Sequence, residues 1–198
     1  MAESIVDGHT HTYYQHVDKI DPSTGVYDCD CNGFVGYILK NAAPQHYALV
    51  PKEDGRTRPR AFEYFNFFAS LSPQSSGDWG RVDRLSDARR GDVMAWRFPT
   101  IRTHEDTGHV MLLAEPPTLD GSGEFFKVRI YDSAAAAHFD DTRMPGGQPS
   151  PTGTTGVGSG FIHARVDGDG RPIAYLFAPP ADAEYSYRPI AIGRAALI

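Results

Sequence analysis

After Arg89-Arg90-Gly91-Asp92 the hydrophobic period of this chain changes. Before it, apolar residues recur at helical spacing; beyond it, they come in short, β-rich runs. Val93-Met94-Ala95-Trp96 reads as a strand, His109-Val110-Met111-Leu112-Leu113-Ala114 as a second, and Phe126-Lys127-Val128-Arg129-Ile130-Tyr131 as a cleanly alternating third. Residues 161–166, 173–177 and 190–192 predict three more. Short connections favour antiparallel pairing. Helices first and strands later predict an α+β fold, with N-terminal helices packed on a mostly antiparallel sheet. The 198 residues fit a single domain, 1–198.

In the helical half the informative stretch runs from Val26 to Leu39 and holds both cysteines. Phe34, Val35, Ile38 and Leu39 form one helical stripe. Cys31 lies three and four positions before Phe34 and Val35, so it shares their inward face in the first turn. Asp30 precedes it as the N-cap, and Ala42-Ala43-Pro44 ends the helix. Gly33 and Gly36 cost a helix interior about 1 kcal/mol each relative to Ala, so a close approach by another backbone is expected there. A thiol at a helix N-terminus is expected to ionise readily, because the free N–H groups stabilise a thiolate. Cys29 and Cys31 are one residue apart, and a bridge between them would be strained. Cys29 reads as an inert buried thiol.

Composition narrows the function. A net charge of −6 excludes a general nucleic-acid or anionic-membrane binder, which needs a basic face. No apolar run approaches the roughly 20 residues of a membrane span. The first residues lack the basic and apolar regions of a signal peptide, which fits a cytoplasmic protein or an exported one whose signal lies outside this sequence. Residues 1–12 read as a mobile N-terminal segment. Within them His9 and His11, two apart, could share a metal if they lay on a strand, although the barrels that carry such a pair need about 250 residues.

Other stretches have milder readings. The Arg56, Arg58 and Arg60 loop is a solvated charged loop or an anion site. Residues 61–71 read as an aromatic helix burying Phe62, Phe65, Phe68 and Ala69. Residues 144–160 form a long Gly/Pro-rich loop, of a length that is functional or disordered. Asp167-Gly168-Asp169-Gly170 is a hairpin turn. His138, Asp140, Asp141 and Arg143 read as a solvated turn, with a metal site as the alternative.

A nucleophilic thiol needs a base, and the base an orienter. Among eight histidines, His109 stands at the start of a strand, after Thr107-Gly108. The next strand ends in Tyr131-Asp132-Ser133, which puts Asp132 within reach of the second ring nitrogen. The order along the chain is Cys31, His109, Asp132.

Those words, in that order, resemble a known family. Asp30-Cys31-Asn32-Gly33-Phe34-Val35 is similar to the Asp-Cys-Ser-Gly-Phe-Val motif of the NlpC/P60 cysteine peptidases, a papain-like group. Gly91-Asp92-Val93 resembles their Gly-Asp strand, and Gly108-His109-Val110 their Gly-His-Val. Asp132 falls where the family carries a third polar residue, usually a His. The resemblance covers about residues 27–133. It implies a papain-like cysteine hydrolase that cleaves an amide bond and needs neither metal nor other cofactor. Its partner would be a small peptide or cell-wall fragment, such as a peptidoglycan stem peptide. Cys31 would attack the carbonyl, His109 would hold the thiolate and protonate the leaving amine, and Asp132 would fix the imidazole. The family pattern also implies a tyrosine at the oxyanion, Tyr14 first and Tyr27 second. An inactive binding module of the same fold is the alternative reading.

Overall fold

The computed structural model describes residues 1–73, 78–101, 106–180 and 183–196. Among them lie four α-helices and two sheets. The chain is α+β, and its large sheet is antiparallel throughout. No helix among the described residues is long and apolar enough to cross a membrane. The turn-rich stretch between Ser72 and Asp78 falls partly outside the described residues, at 74–77.

Residues 1–12 are built into the fold, contrary to the expectation of a mobile segment. Helix α1 (Ala2–Gly8) buries Ile5 and Val6, and these anchor it in the core. Strand β1 (His11–Tyr13) then joins β2 (Lys19–Asp21) and β3 (Val26–Asp28) in a small sheet with β3 central. Thr12 fixes this sheet to the rest: its hydroxyl donates to Tyr27 O at 2.8 Å and accepts from Val157 N at 2.6 Å.

Helix α2 (Cys31–Ala42) forms as its sequence dictates. The Asp30 carboxylate accepts the Gly33 N–H at 2.8 Å, satisfying one of the free donors of the first turn. Phe34, Val35, Ile38 and Leu39 are all buried, and each such side chain contributes roughly 1.5–3 kcal/mol. Pro44 opens the short α3 (Pro44–Ala48), where its missing N–H costs nothing. The close approaches at Gly33 and Gly36 are made by side chains, not by a backbone. A Cβ at Gly33 would strike the Asp18 carboxylate and Cys29, and one at Gly36 would meet the Tyr47 ring at 3.5 Å.

Of the face read from the sequence, helix α4 (Ala61–Ser70) buries Phe68, leaves Phe62 and Phe65 half-buried and Ala69 exposed, and buries Ala61, Glu63 and Tyr64 in addition. Two features turn it. Glu63 folds back to accept the Arg60 N–H at 2.6 Å, and the Phe68 ring seats against Gly193, where any Cβ would collide with it.

The large sheet comprises β4 (Trp79–Val82), β5 (Val93–Arg97), β6 (Gly108–Leu113), β7 (Thr118–Leu119), β8 (Phe126–Ala134), β9 (Gly156–Val166), β10 (Pro172–Leu176), β11 (Ser186–Tyr187) and β12 (Ile190–Ala195). The order is β11-β10-β9-β8-β6-β5-β12-β4, with β7 also paired to β8. The alternation in the sequence builds two cores. Val93, Ala95, Val110 and Leu112 face the helices. Met94, Trp96, Met111, Leu113, Val128 and Ile130 face the other way. That second face is covered by the sheet itself, which curls until Tyr175 of β10 stacks on Trp96 of β5 with centroids 3.8 Å apart. The hairpin expected at 167–170 joins β9 to β10, with Asp167 N donating to Arg171 O at 2.9 Å. The stretch 144–160 is a loop only in part, since β9 begins at Gly156.

Candidate active site

Cys31 opens α2, and the helix lies against β6 and β8. Its thiol is 2% exposed. The backbone N–H of Val110, the residue after His109, acts on the thiol from β6. Burial pushes the thiol well above its ordinary pKa, and the neighbouring Asp30 carboxylate pushes it further; the Val110 N–H offsets only part of this. The easily ionised thiolate expected from the helix terminus is therefore absent at rest. Desolvation of a charge outweighs the helix-end N–H groups when the side chain faces the protein body. Cys29 is buried behind it, free, and likewise pushed up by burial.

The elements that carry His109 and Asp132 are fixed by local necessity. Gly108 has φ 137°, and a Cβ there would strike the Trp96 carbonyl, so only glycine lets β6 begin at this point. Gly91-Asp92 is a structural word: Asp92 accepts from Arg89 N at 2.8 Å and from Arg194 at 2.7 and 2.8 Å, tying β5 to β12. His109 stacks on Trp96, with ring centroids 5.3 Å apart. Its Nε2 lies 2.7 Å from Asp132 Oδ2. Nδ1 is the ring nitrogen that this carboxylate leaves for other work.

Asp132 is fully buried and serves three donors. Besides His109, its Oδ2 meets His138 Nε2 at 2.9 Å, and its Oδ1 accepts from Arg143 Nη2 at 3.1 Å. Burial alone would raise its pKa, but His138, Arg143 and His109 together hold the carboxyl well below the usual carboxylate range. Arg143 also grips Asp141 through Nε and Nη2, at 2.8 and 2.7 Å. The residues read as a solvated turn, His138, Asp141 and Arg143, are thus buried, with Asp140 alone of the group outside. Glycines make the room. A Cβ at Gly158 would sit 2.6 Å from Arg143 Nε, and one at Gly160 would sit 2.8 Å from Asp141 Oδ2. The alternating Gly158 and Gly160 are the visible signal of this cluster, since a strand face without side chains must face something large.

A cavity of about 490 Å³ opens at the N-terminus of α2. Its lining includes Cys31, Asn32, Tyr14, His16 and Gly108. Burial raises the Tyr14 phenol, and the Cys31 and Asp30 side chains raise it further, so it stands there as a neutral donor near the sulfur. Tyr27 does not reach this cavity. It is buried in the core with its ring 5.9 Å from that of Tyr37.

The arginine loop is only partly solvated. Arg58 donates to both oxygens of Asp30, and its Nε lies 3.2 Å from Asp18. Arg60 and Arg56 pair with Glu53. The His9 and His11 rings turn to different partners: His9 Nδ1 to the carbonyls of Ile5 and Val6, and His11 Nε2 to Asp28 at 3.3 Å. Among the described residues no group of three or more His, Cys, Asp or Glu side chains is placed to hold a metal.

No protein-family model matches the chain, and no solved structure matches it. A curated relative is the uncharacterized protein R653 of Acanthamoeba polyphaga mimivirus, 25% identical over 183 residues. The match covers 83% of this chain and 76% of that protein.

Proposed function

We propose that this chain is a cysteine hydrolase that cleaves an amide bond, with a papain-like fold of the NlpC/P60 type. The observation that carries the reading is the 2.7 Å contact between His109 Nε2 and Asp132, on the two strands against which the helix opened by Cys31 packs. Three residues from α2, β6 and β8 then stand in the roles of nucleophile, base and orienter.

In this reading Cys31 rests as a neutral thiol. His109, held in one orientation by Asp132, takes the thiol proton as the sulfur attacks the carbonyl carbon. The same proton then goes to the leaving amine, and the acyl group remains on sulfur until water removes it. The Cys31 backbone N–H and the Tyr14 hydroxyl are the donors offered to the oxyanion. The cavity beside Cys31 carries both acidic and basic side chains, Asp30 and Asp106 with Arg56 and Arg58. Asp30 and Arg58 neutralise each other and Arg56 pairs with Glu53, so the cavity suits a short polar peptide such as a peptidoglycan stem peptide.

The test is incubation with stem-peptide fragments and mass-spectrometric detection of new amines. Release that is lost in Cys31→Ser and kept in Cys29→Ser supports the reading. Release that survives Cys31→Ser overturns it. A second reading, a binding module that has kept the architecture without the activity, draws on the near-complete burial of Cys31. It expects fragment binding without cleavage.

A further inference from the structure

We propose that His138 is a positioning residue that acts on His109 through their shared carboxylate, Asp132, and that it does so as a doubly protonated imidazolium. Its effect on catalysis rests on the hydrolase reading; its protonation does not.

The hydrogen-bond inventory carries the argument. His138 Nδ1 lies 2.8 Å from the Phe177 carbonyl oxygen, which can only accept. His138 Nε2 lies 2.9 Å from Asp132 Oδ2. Asp132 is ionised, because its Oδ1 takes the buried Arg143 guanidinium at 3.1 Å, and an ionised carboxylate also only accepts. Each ring nitrogen of His138 therefore donates. A neutral ring would set a bare lone pair against an oxygen in a buried site, which is unfavourable.

Charge balance points the same way. With His138 protonated, the buried cluster holds two cations, His138 and Arg143, against two anions, Asp132 and Asp141. A buried cluster whose charges balance leaves no buried charge without a partner. Packing couples the two rings as well. Phe177 stands edge-on to both, its ring centroid 4.2 Å from His138 and 5.1 Å from His109. The His138 main chain is pinned by its own N–H to Asp141 at 2.7 Å. His138 is thus a fixed brace under Asp132, and Asp132 a fixed brace under His109.

Nitrogen NMR of the full chain, labelled with ¹⁵N and ¹³C in histidine, reads this directly. The His138 ring, assigned through its own carbon connectivity, is expected to show two protonated nitrogens at pH 7 and two slowly exchanging N–H protons. A single protonated nitrogen there overturns the proposal. His138→Gln tests the positioning. It keeps a donor but carries no charge. The His109 Nε2–H signal is expected to move while the backbone amide spectrum elsewhere is retained, and iodoacetamide labelling of Cys31 is expected to slow about tenfold to a hundredfold, the scale of a small misplacement. An unmoved His109 signal and an unchanged labelling rate in the folded variant overturn it. Should the variant fail to fold, the wild-type ring signals still decide. The outcomes separate the two ideas: a doubly protonated His138 in a chain that cleaves no amide keeps this network and removes the hydrolase, and a singly protonated His138 in an active chain does the reverse.

Discussion

Arg58 closes on both oxygens of Asp30, at 2.6 and 3.0 Å, while Asp30 caps the helix that begins at Cys31. A loop far along the chain thus holds the first turn of α2 in place. Asp30 also accepts from His16 Nδ1 at 3.1 Å, so three elements converge on one carboxylate. Both partners are largely buried.

Removing the guanidinium leaves that carboxylate buried without its counterion. Arg58→Ala is expected to destabilise the fold by about 3 kcal/mol, the low end for breaking a buried pair. Arg58→Lys keeps the charge but loses the two-pronged contact, and is expected to cost less. Urea unfolding of both variants measures this. Equal stability of Arg58→Ala and the parent would mean that the pair does not anchor α2.

Gly158→Ala is expected to disturb the site from behind. The added methyl would sit 2.6–2.9 Å from the Arg143 side chain, which is itself buried against Asp132 and Asp141. Overpacking of this kind costs about 1–3 kcal/mol. The check is thermal unfolding together with Cys31 labelling, which is expected to slow as Arg143 shifts Asp132. A fully stable Gly158→Ala with normal labelling would show that the glycine face is not needed.

Asp132 gives the fold a defined pH dependence. Its folded pKa is depressed, so its contribution to stability is complete above the unfolded value of about 3.9. That contribution is lost as pH falls toward the folded value. The stability difference between the parent and Asp132→Asn is therefore expected to be constant from pH 7 to about pH 5 and to shrink below about pH 4. Chemical denaturation at several pH values follows it. A difference that grows on acidification would have the wrong sign.

Much of this architecture is legible in the sequence because it is set by local rules. The period change after Asp92 marks the strands, and the Asp30 cap with its four apolar neighbours marks α2. Cys31 and His109 are legible as candidates because each lies at the start of an element, Asp132 because it follows the alternating run of the next strand, and Tyr14 only through the family pattern. What is missed is set by tertiary packing. The buried face of α4 is chosen by Gly193, more than 120 residues away, and by Glu63 folding back on Arg60. The His138 to Arg143 segment is as polar as any surface turn, and only the glycine face of β9 makes it a buried network. The inward face of Cys31 is legible from its spacing, but that desolvation there outweighs the helix-end N–H groups is not.

The most direct test of the account is the rate at which iodoacetamide labels the two thiols at pH 7, read by peptide mass spectrometry. Both are buried and pushed up, so burial alone gives two slow thiols. With His109 acting as base, Cys31 is expected to react at least about tenfold faster than Cys29, and His109→Ala is expected to remove that advantage. Equal slow labelling of Cys31 and Cys29 in the parent protein, or a Cys31 rate indifferent to His109, would contradict it.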